Sequence, residues 1–195
     1  SATGIMLSSG GALGVTIGGG ASQLASGNYI VGGVSSSFIA SGNSASEVVI
    51  NSRGFLNVSS GGIASATQLN NGGAQTIFAG GSASGTQINS GGTQYLSSGA
   101  RATGTQINSS GTQTVYSAGV ASAARVNAGG TQNLFSGGIA SATVVSQGGT
   151  QAVYSAGLAT DTVVSSGGLL TLNGAGGSAT GIMLSSGGAL GVTIG

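Results

Sequence analysis

The sequence predicts an all-β chain, a parallel β-helix (β-solenoid) of about ten coils of roughly nineteen residues each, and three observations carry that expectation. First, six units of nineteen residues follow one another without a gap, at 54–72, 73–91, 92–110, 111–129, 130–148 and 149–167. A fixed period of this size marks a solenoid, in which each unit is one coil. Second, fixed aliphatic positions inside the unit alternate with variable, mostly polar ones, which is the period-two pattern of a strand. Third, the composition opposes helical repeats. It is rich in Gly, Ser, Thr and Val, holds 42 glycines and no proline, and has almost none of the Glu and Lys that favour helix.

Taken in order, residues 1–10 are a partial unit, and residues 11–32 and 33–53 are longer units of 22 and 21 residues. Their extra residues fall in SGNYIVGG and ASGNSAS, which read as loops bulging from a coil. The six regular units follow. A 20-residue unit spans 168–187, and GALGVTIG closes the chain. No linker or change of composition divides the sequence, so it reads as one domain, 1–195: irregular coils over 1–53, regular coils over 54–167 and terminal coils over 168–195.

The unit is clearest in residues 111–129, GTQTVYSAGVASAARVNAG, numbered from its first glycine. Position 5 is always aliphatic (Val58, Ile77, Leu96, Val115, Leu134, Val153), and so is position 16 (Leu69, Ile88, Ile107, Val126, Val145, Val164). The pattern places one strand near positions 2–6 and a second near 12–17. Glycines at positions 1, 9 and 19 mark the turns, where positive φ is expected. Stacked in register about 4.8 Å apart, roughly ten such coils form a rod on the order of 50 Å long. Each buried aliphatic contributes about 1.5–3 kcal/mol, so stability accumulates coil by coil.

Several side chains recur as columns down this rod. Asn51, Asn70, Asn89, Asn108 and Asn127 form one, followed by Ser146 and Ser165. It reads as a turn ladder whose amides bond neighbouring backbone. Gln75, Gln94, Gln113, Gln132 and Gln151 form another. Leu56 and Leu170 replace glutamine in the flanking units, which points to an inward position. Position 11 is invariably alanine and is read as an inward corner. Position 10 carries Arg101 in one unit, and an unpaired arginine in so thin a core would be costly, so position 10 faces out. Position 6 faces out by its parity with position 5. Coils 111–167 therefore present an outward ridge of Tyr116, Val120, Phe135, Ile139, Tyr154 and Leu158. Two readings of the ridge stand: like side chains stacked for stability, or an adhesive surface for a partner or a second rod.

Chemistry is sparse. The only charged residues are Glu47, Arg53, Arg101, Arg125 and Asp161, for a net charge of +1. Such a chain offers no footprint for nucleic acid or an anionic membrane. No apolar run approaches the roughly 20 residues of a membrane helix, and no membrane insertion is expected. Without histidine or cysteine, no metal site, cofactor or activated nucleophile suggests itself. The two carboxylates lie six coils apart, about 30 Å, too far for a catalytic pair. The chain reads as no enzyme.

Residues 178–195, SATGIMLSSGGALGVTIG, are identical to residues 1–18, at an offset of 177 residues or nine units. Neighbouring units differ at many positions, so this is not unit-to-unit similarity. Either the parent protein is a tandem array of 177-residue blocks, or an engineered chain carries a copied terminal cap.

Units such as GGTQNLFSGGIASATVVSQ and GGTQYLSSGARATGTQINSS resemble the nineteen-residue repeats of AIDA/TibA-type self-associating autotransporter adhesins of Gram-negative bacteria. The resemblance is close over 54–167 and looser in the flanks. It implies a right-handed parallel β-helix, the passenger of an outer-membrane autotransporter exported to the cell surface, acting in autoaggregation, biofilm formation and host-cell adhesion. The partners it implies are a second copy of the chain on another cell, a host surface, and a heptosyltransferase modifying repeat serines. Carried over by position, those serines are Ser60, Ser98, Ser117, Ser136 and Ser155 in one turn, and Ser90 and Ser166 before the closing glycine. The family's signal peptide and membrane barrel are not among these residues, so a passenger fragment is implied. A structural stalk presenting another domain is the alternative.

Overall fold

The computed structural model describes residues 44–52 and 54–193, and the backbone of the strands Gly14–Ile17, Tyr29–Val31 and Ser36–Ala40. Most of the irregular coils expected over 1–53, including Arg53, lie outside the described residues. The rest is an all-strand parallel β-solenoid of about eight turns of about nineteen residues. The expected ten counted the partial units at both ends. Its strands form three parallel sheets, of ten, eight and nine strands.

Each coil has three strands, where the sequence suggested two. In the coil at 111–129 they are Thr112–Val115, Val120–Ser122 and Arg125–Val126. The expected second strand is broken at position 13, where the backbone turns left-handed in every regular coil. The residue there is glycine in two of them (Gly85, φ 61°; Gly104, φ 66°), but Ala66, Ala123, Ala142 and Asp161 in the others, at φ 51–53°. The break turns the amide of position 13 towards the following coil, as in Ala123 N–H to Ser141 O (2.9 Å) and Ala142 N–H to Thr160 O (2.9 Å). A non-glycine residue in this region costs about 1–2 kcal/mol. That bond, repeated down the column, offsets the cost.

The other two corners are β-turns. One spans positions 6–9, closed by Gly119 N–H to Tyr116 O (2.7 Å). The other spans position 17 to position 1 of the next unit, closed by Gly111 N–H to Asn108 O (2.8 Å). The glycines divide into two physical kinds here. Position 19 is left-handed as expected (Gly129, φ 73°), and Ser110 fills it in one coil at φ 58°. Positions 1 and 9 are not left-handed. Position 1 is glycine because the chain passes close above the preceding coil: a Cβ on Gly111 would lie 2.6 Å from the Ile88 carbonyl oxygen. Position 9 is similarly close in its coils with glycine, as at Gly119, where a Cβ would lie 2.8 Å from the Tyr116 carbonyl oxygen, and is Ala100 in one coil.

Consecutive coils stack at one register, offset by nineteen residues, as Gln94 on Gln113 and Ala102 on Ala121 show. Positions 5, 11 and 16 face inward in every regular coil, and their aliphatic and alanine side chains are buried. So are the glutamines of position 3 and the threonines of position 14. A polar column therefore runs inside an apolar wall. Gln94, Gln113, Gln132 and Gln151 each donate from Nε2 to the Oε1 of the glutamine one coil back, at 2.7, 2.7, 2.6 and 2.7 Å. The hydroxyls of Thr86, Thr105, Thr143 and Thr162 donate to Oε1 of Gln75, Gln94, Gln132 and Gln151 at 3.0–3.3 Å. Gln75, Gln94 and Gln113 donate in turn to Thr67, Thr86 and Thr105. Burying an amide is costly unless it is paired, and this network pairs every glutamine of the column with a neighbouring glutamine and with a threonine as well. Leu56 and Leu170 close the column at its two ends and are fully buried.

Two predictions follow from this packing. Gly111→Ala meets backbone and should cost about 3 kcal/mol, as overpacking does. Gly129→Ala carries the left-handed penalty, about 1 kcal/mol, and its Cβ comes 3.2 Å from the Ser109 hydroxyl oxygen, a side-chain atom that can move aside, rather than meeting a carbonyl. Urea unfolding of the two variants should show that order, although Gly129 has the positive φ. The buried network also has one gap, at Ala124, which stands where its neighbours carry threonine. Ala124→Thr lets a hydroxyl donate to Gln113 and accept from Gln132, and should raise stability by about 1 kcal/mol. The unfolding midpoint checks it.

Candidate functional site

With no charged cluster and no group of potential metal ligands among the described residues, what remains is surface relief, and it concentrates at one corner. Positions 6 and 10 flank the turn of positions 6–9, the first at the end of one strand and the second at the start of the next. In the coil at 111–129 these are Tyr116 and Val120, and in the next two they are Phe135 with Ile139 and Tyr154 with Leu158. The register places Val120, Ile139 and Leu158 in one column. The rings form another: Tyr116 and Phe135 stack at 5.8 Å between centroids and 19° between planes, Phe135 and Tyr154 at 4.3 Å and 13°. Those spacings follow the rise of the coils, so stacking costs no departure from the fold.

The stack accounts for part of the ridge's apolar surface. Phe135, with a ring on each side, is half-buried, and so are Tyr154, Val120, Ile139 and Leu158. Tyr116, at the end of the stack, is 41% exposed. The structure thus brings all six ridge residues to one corner, over three successive coils.

The serines picked from the sequence are all exposed. Ser60, Ser98, Ser117, Ser136 and Ser155 stand at position 7, the tip of this same corner. Ser117, Ser136 and Ser155 each directly follow a stacked ring. Ser60 and Ser98 follow serines instead. Ser90 and Ser166 stand at position 18, on the corner that carries the asparagine column. Ser136 is itself left-handed, at φ 46°.

The asparagine column bonds differently from the expectation. Its amides bond each other rather than backbone: Asn70, Asn89, Asn108 and Asn127 donate from Nδ2 to the Oδ1 of the asparagine one coil back, at 3.2, 2.8, 2.9 and 2.8 Å. It is a structural ladder, half-buried along its length.

Besides those of the last coil, four large apolar side chains that the sequence did not single out are also exposed: Phe55, Ile63, Phe78 and Tyr95. Phe55 stands at position 2, Tyr95 at position 4, Ile63 at position 10 and Phe78 at position 6. The signal for them was present in the parity of their positions. They lie in the coils before residue 111, where no like side chain follows at the next coil, so no stack forms.

Comparison with known proteins places this geometry. Residues 60–111 match a family described as "Adhesin of bacterial autotransporter system, probable stalk". No curated protein sequence gives a significant match. Among solved structures, the chain is similar to the crystal structure of a TibC-catalysed, hyper-glycosylated TibA fragment. It is 32% identical to that fragment with a TM-score of 0.53, over 88% of each chain.

Proposed function

Because this chain belongs to the AIDA/TibA-type autotransporter adhesin passengers, we propose that it is carried to the surface of a Gram-negative cell and there joins cells through its aromatic corner, without enzymatic activity. One observation carries the reading: Tyr116, Phe135 and Tyr154 form a continuous ring stack over three successive coils, flanked by Val120, Ile139 and Leu158, whereas the exposed apolar side chains of the coils before residue 111 stand singly. Exposed contiguous apolar surface on a soluble fold marks an interaction site, and rigid aromatic rings are its best anchors. The partner is the same ridge on a rod displayed by another cell, which supports autoaggregation and biofilm formation. A host surface is the second partner.

The serines enter through modification. The similar TibA fragment is hyper-glycosylated by TibC. A heptosyltransferase acting on this chain would find Ser60, Ser90, Ser98, Ser117, Ser136, Ser155 and Ser166 exposed on two corners. Three of these serines directly follow the rings of the ridge. Sugars on Ser117, Ser136 and Ser155 would therefore compete with ring-to-ring contact, or replace it with contact through the sugar itself.

A stalk role has its own support. The stretch matching the family described as a stalk, 60–111, ends before the ring stack begins at Tyr116. The chain then divides by length: coils up to residue 110 supply reach, and coils 111–167 supply adhesion.

Two measurements test this. Cells displaying the chain with Tyr116, Phe135 and Tyr154 all replaced by Ser should settle several-fold more slowly than cells displaying the native chain at equal surface density. Equal settling rules out the ridge. Intact mass after co-expression with TibC should show heptose increments that disappear when the seven serines are replaced by Ala. A mass equal to that of the unmodified polypeptide removes the glycosylation reading.

A further inference from the structure

The eighteen residues shared by 1–18 and 178–195 are seen in two different pairings. In the strand Ala189–Thr193, residues Gly191, Val192 and Thr193 lie on Thr171, Leu172 and Asn173 of the preceding coil. In the strand Gly14–Ile17, the same triplet, Gly14, Val15 and Thr16, pairs with Ser37, Phe38 and Ile39 of the following coil. The two strands stand at opposite ends of the ten-stranded sheet. One pairing therefore uses the strand edge that faces back along the rod, and the other uses the edge that faces forward. A strand of this sequence is built to be paired on both edges, and the structure shows each half of that arrangement once.

The face presented by 178–193 has the matching chemistry. Leu184 pairs with Val164, and Leu190 with Leu170. Val164 and Leu170 are fully buried, whereas Leu184 and Leu190 are 49% and 44% exposed and Val192 is 58% exposed. They occupy core positions with a core on one side only. Sheet edges that face solvent in natural proteins are guarded by charge or proline. Residues 178–195 contain no Lys, Arg, Asp, Glu or Pro.

We propose that this coil is a seam: it accepts a second copy of the 177-residue block, with the copy's strand Ser36–Ala40 on Ala189–Thr193, so that blocks join into one continuous solenoid. Each junction reuses pairings already present. Val192 on Leu172 is the lower half. Phe38 on Val15, whose counterpart is Val192, is the upper half, and Phe38 continues onto the buried Leu56. The strands keep their direction, and both registers preserve the period of two.

The test compares the chain as it stands with a two-block chain in which residues 1–177 precede a full copy of 1–195. Amide hydrogen exchange is followed at the segment Met183–Thr193 in the chain and at its counterpart across the junction. The proposal expects junction amides to gain at least 100-fold in protection, approaching those of the strand Leu169–Asn173. A second two-block chain, with Asp at the junction counterparts of Leu190 and Val192, should lose that gain while coils 54–167 stay protected. Junction amides that exchange as fast as those at the end of the single chain overturn the proposal. So does a gain that survives the two Asp substitutions.

Discussion

A buried column of five glutamine amides governs this rod. An apolar column alone sets register weakly, because a leucine sliding past its neighbour still finds a leucine or valine to touch. A glutamine amide in the same place accepts no such slip. Its oxygen must meet the nitrogen of the next coil and a threonine hydroxyl, and each group left unpaired in the interior costs about 1–3 kcal/mol. Coil length follows that constraint. All coils between Gln75 and Gln151 have nineteen residues, and the units of 20, 21 and 22 residues lie outside the column. Where leucine takes over at position 3, the register relaxes: Leu170 pairs with Leu190, twenty residues on.

Much of this was legible in the sequence because ladders repeat their own signal. Positions 5, 11 and 16 declare themselves as core by never varying in kind across six units. Position 10 declares itself as surface by a single arginine. Replacement of Gln75's column by Leu56 and Leu170 marked position 3 as inward, although nothing in the pattern gave the amide-to-amide bonds. Two features were hidden. The third corner, at position 13, is made by alanine in half of the regular coils, and alanine carries no turn signature, so Ala123 read as part of a strand. Gly111 and Gly129 look alike in sequence, yet one avoids a carbonyl and the other adopts a left-handed backbone.

The candidate site shows the same division. Parity placed Tyr116, Phe135 and Tyr154 on the surface, and the nineteen-residue spacing placed them in one column. Whether the rings would stack, and that the serine after each ring would share its corner, required coordinates. The sequence could not separate ring stacking from adhesion as the reason for the ridge; the structure shows the stacking, and the adhesion proposed above is compatible with it. Stacking covers the faces of the rings and leaves their outer edges at the corner, so the same three residues can stiffen three coils and still meet a partner.

The amide columns have a further consequence. In the glutamine column every bond runs from Nε2 to the oxygen one coil back, and in the asparagine column every Nδ2 points the same way. Amide dipoles, each about 3.5 D, therefore add along the axis instead of cancelling. These two side-chain columns thus give the rod an axial dipole contribution whose positive end lies towards the early coils and whose negative end lies towards the later ones. Two such needles lying side by side attract when they point in opposite directions and repel when they point the same way, by an amount that salt reduces. If the chain is displayed as proposed above, rods reaching towards each other from facing surfaces would have the first orientation, and rods crowded on one surface the second.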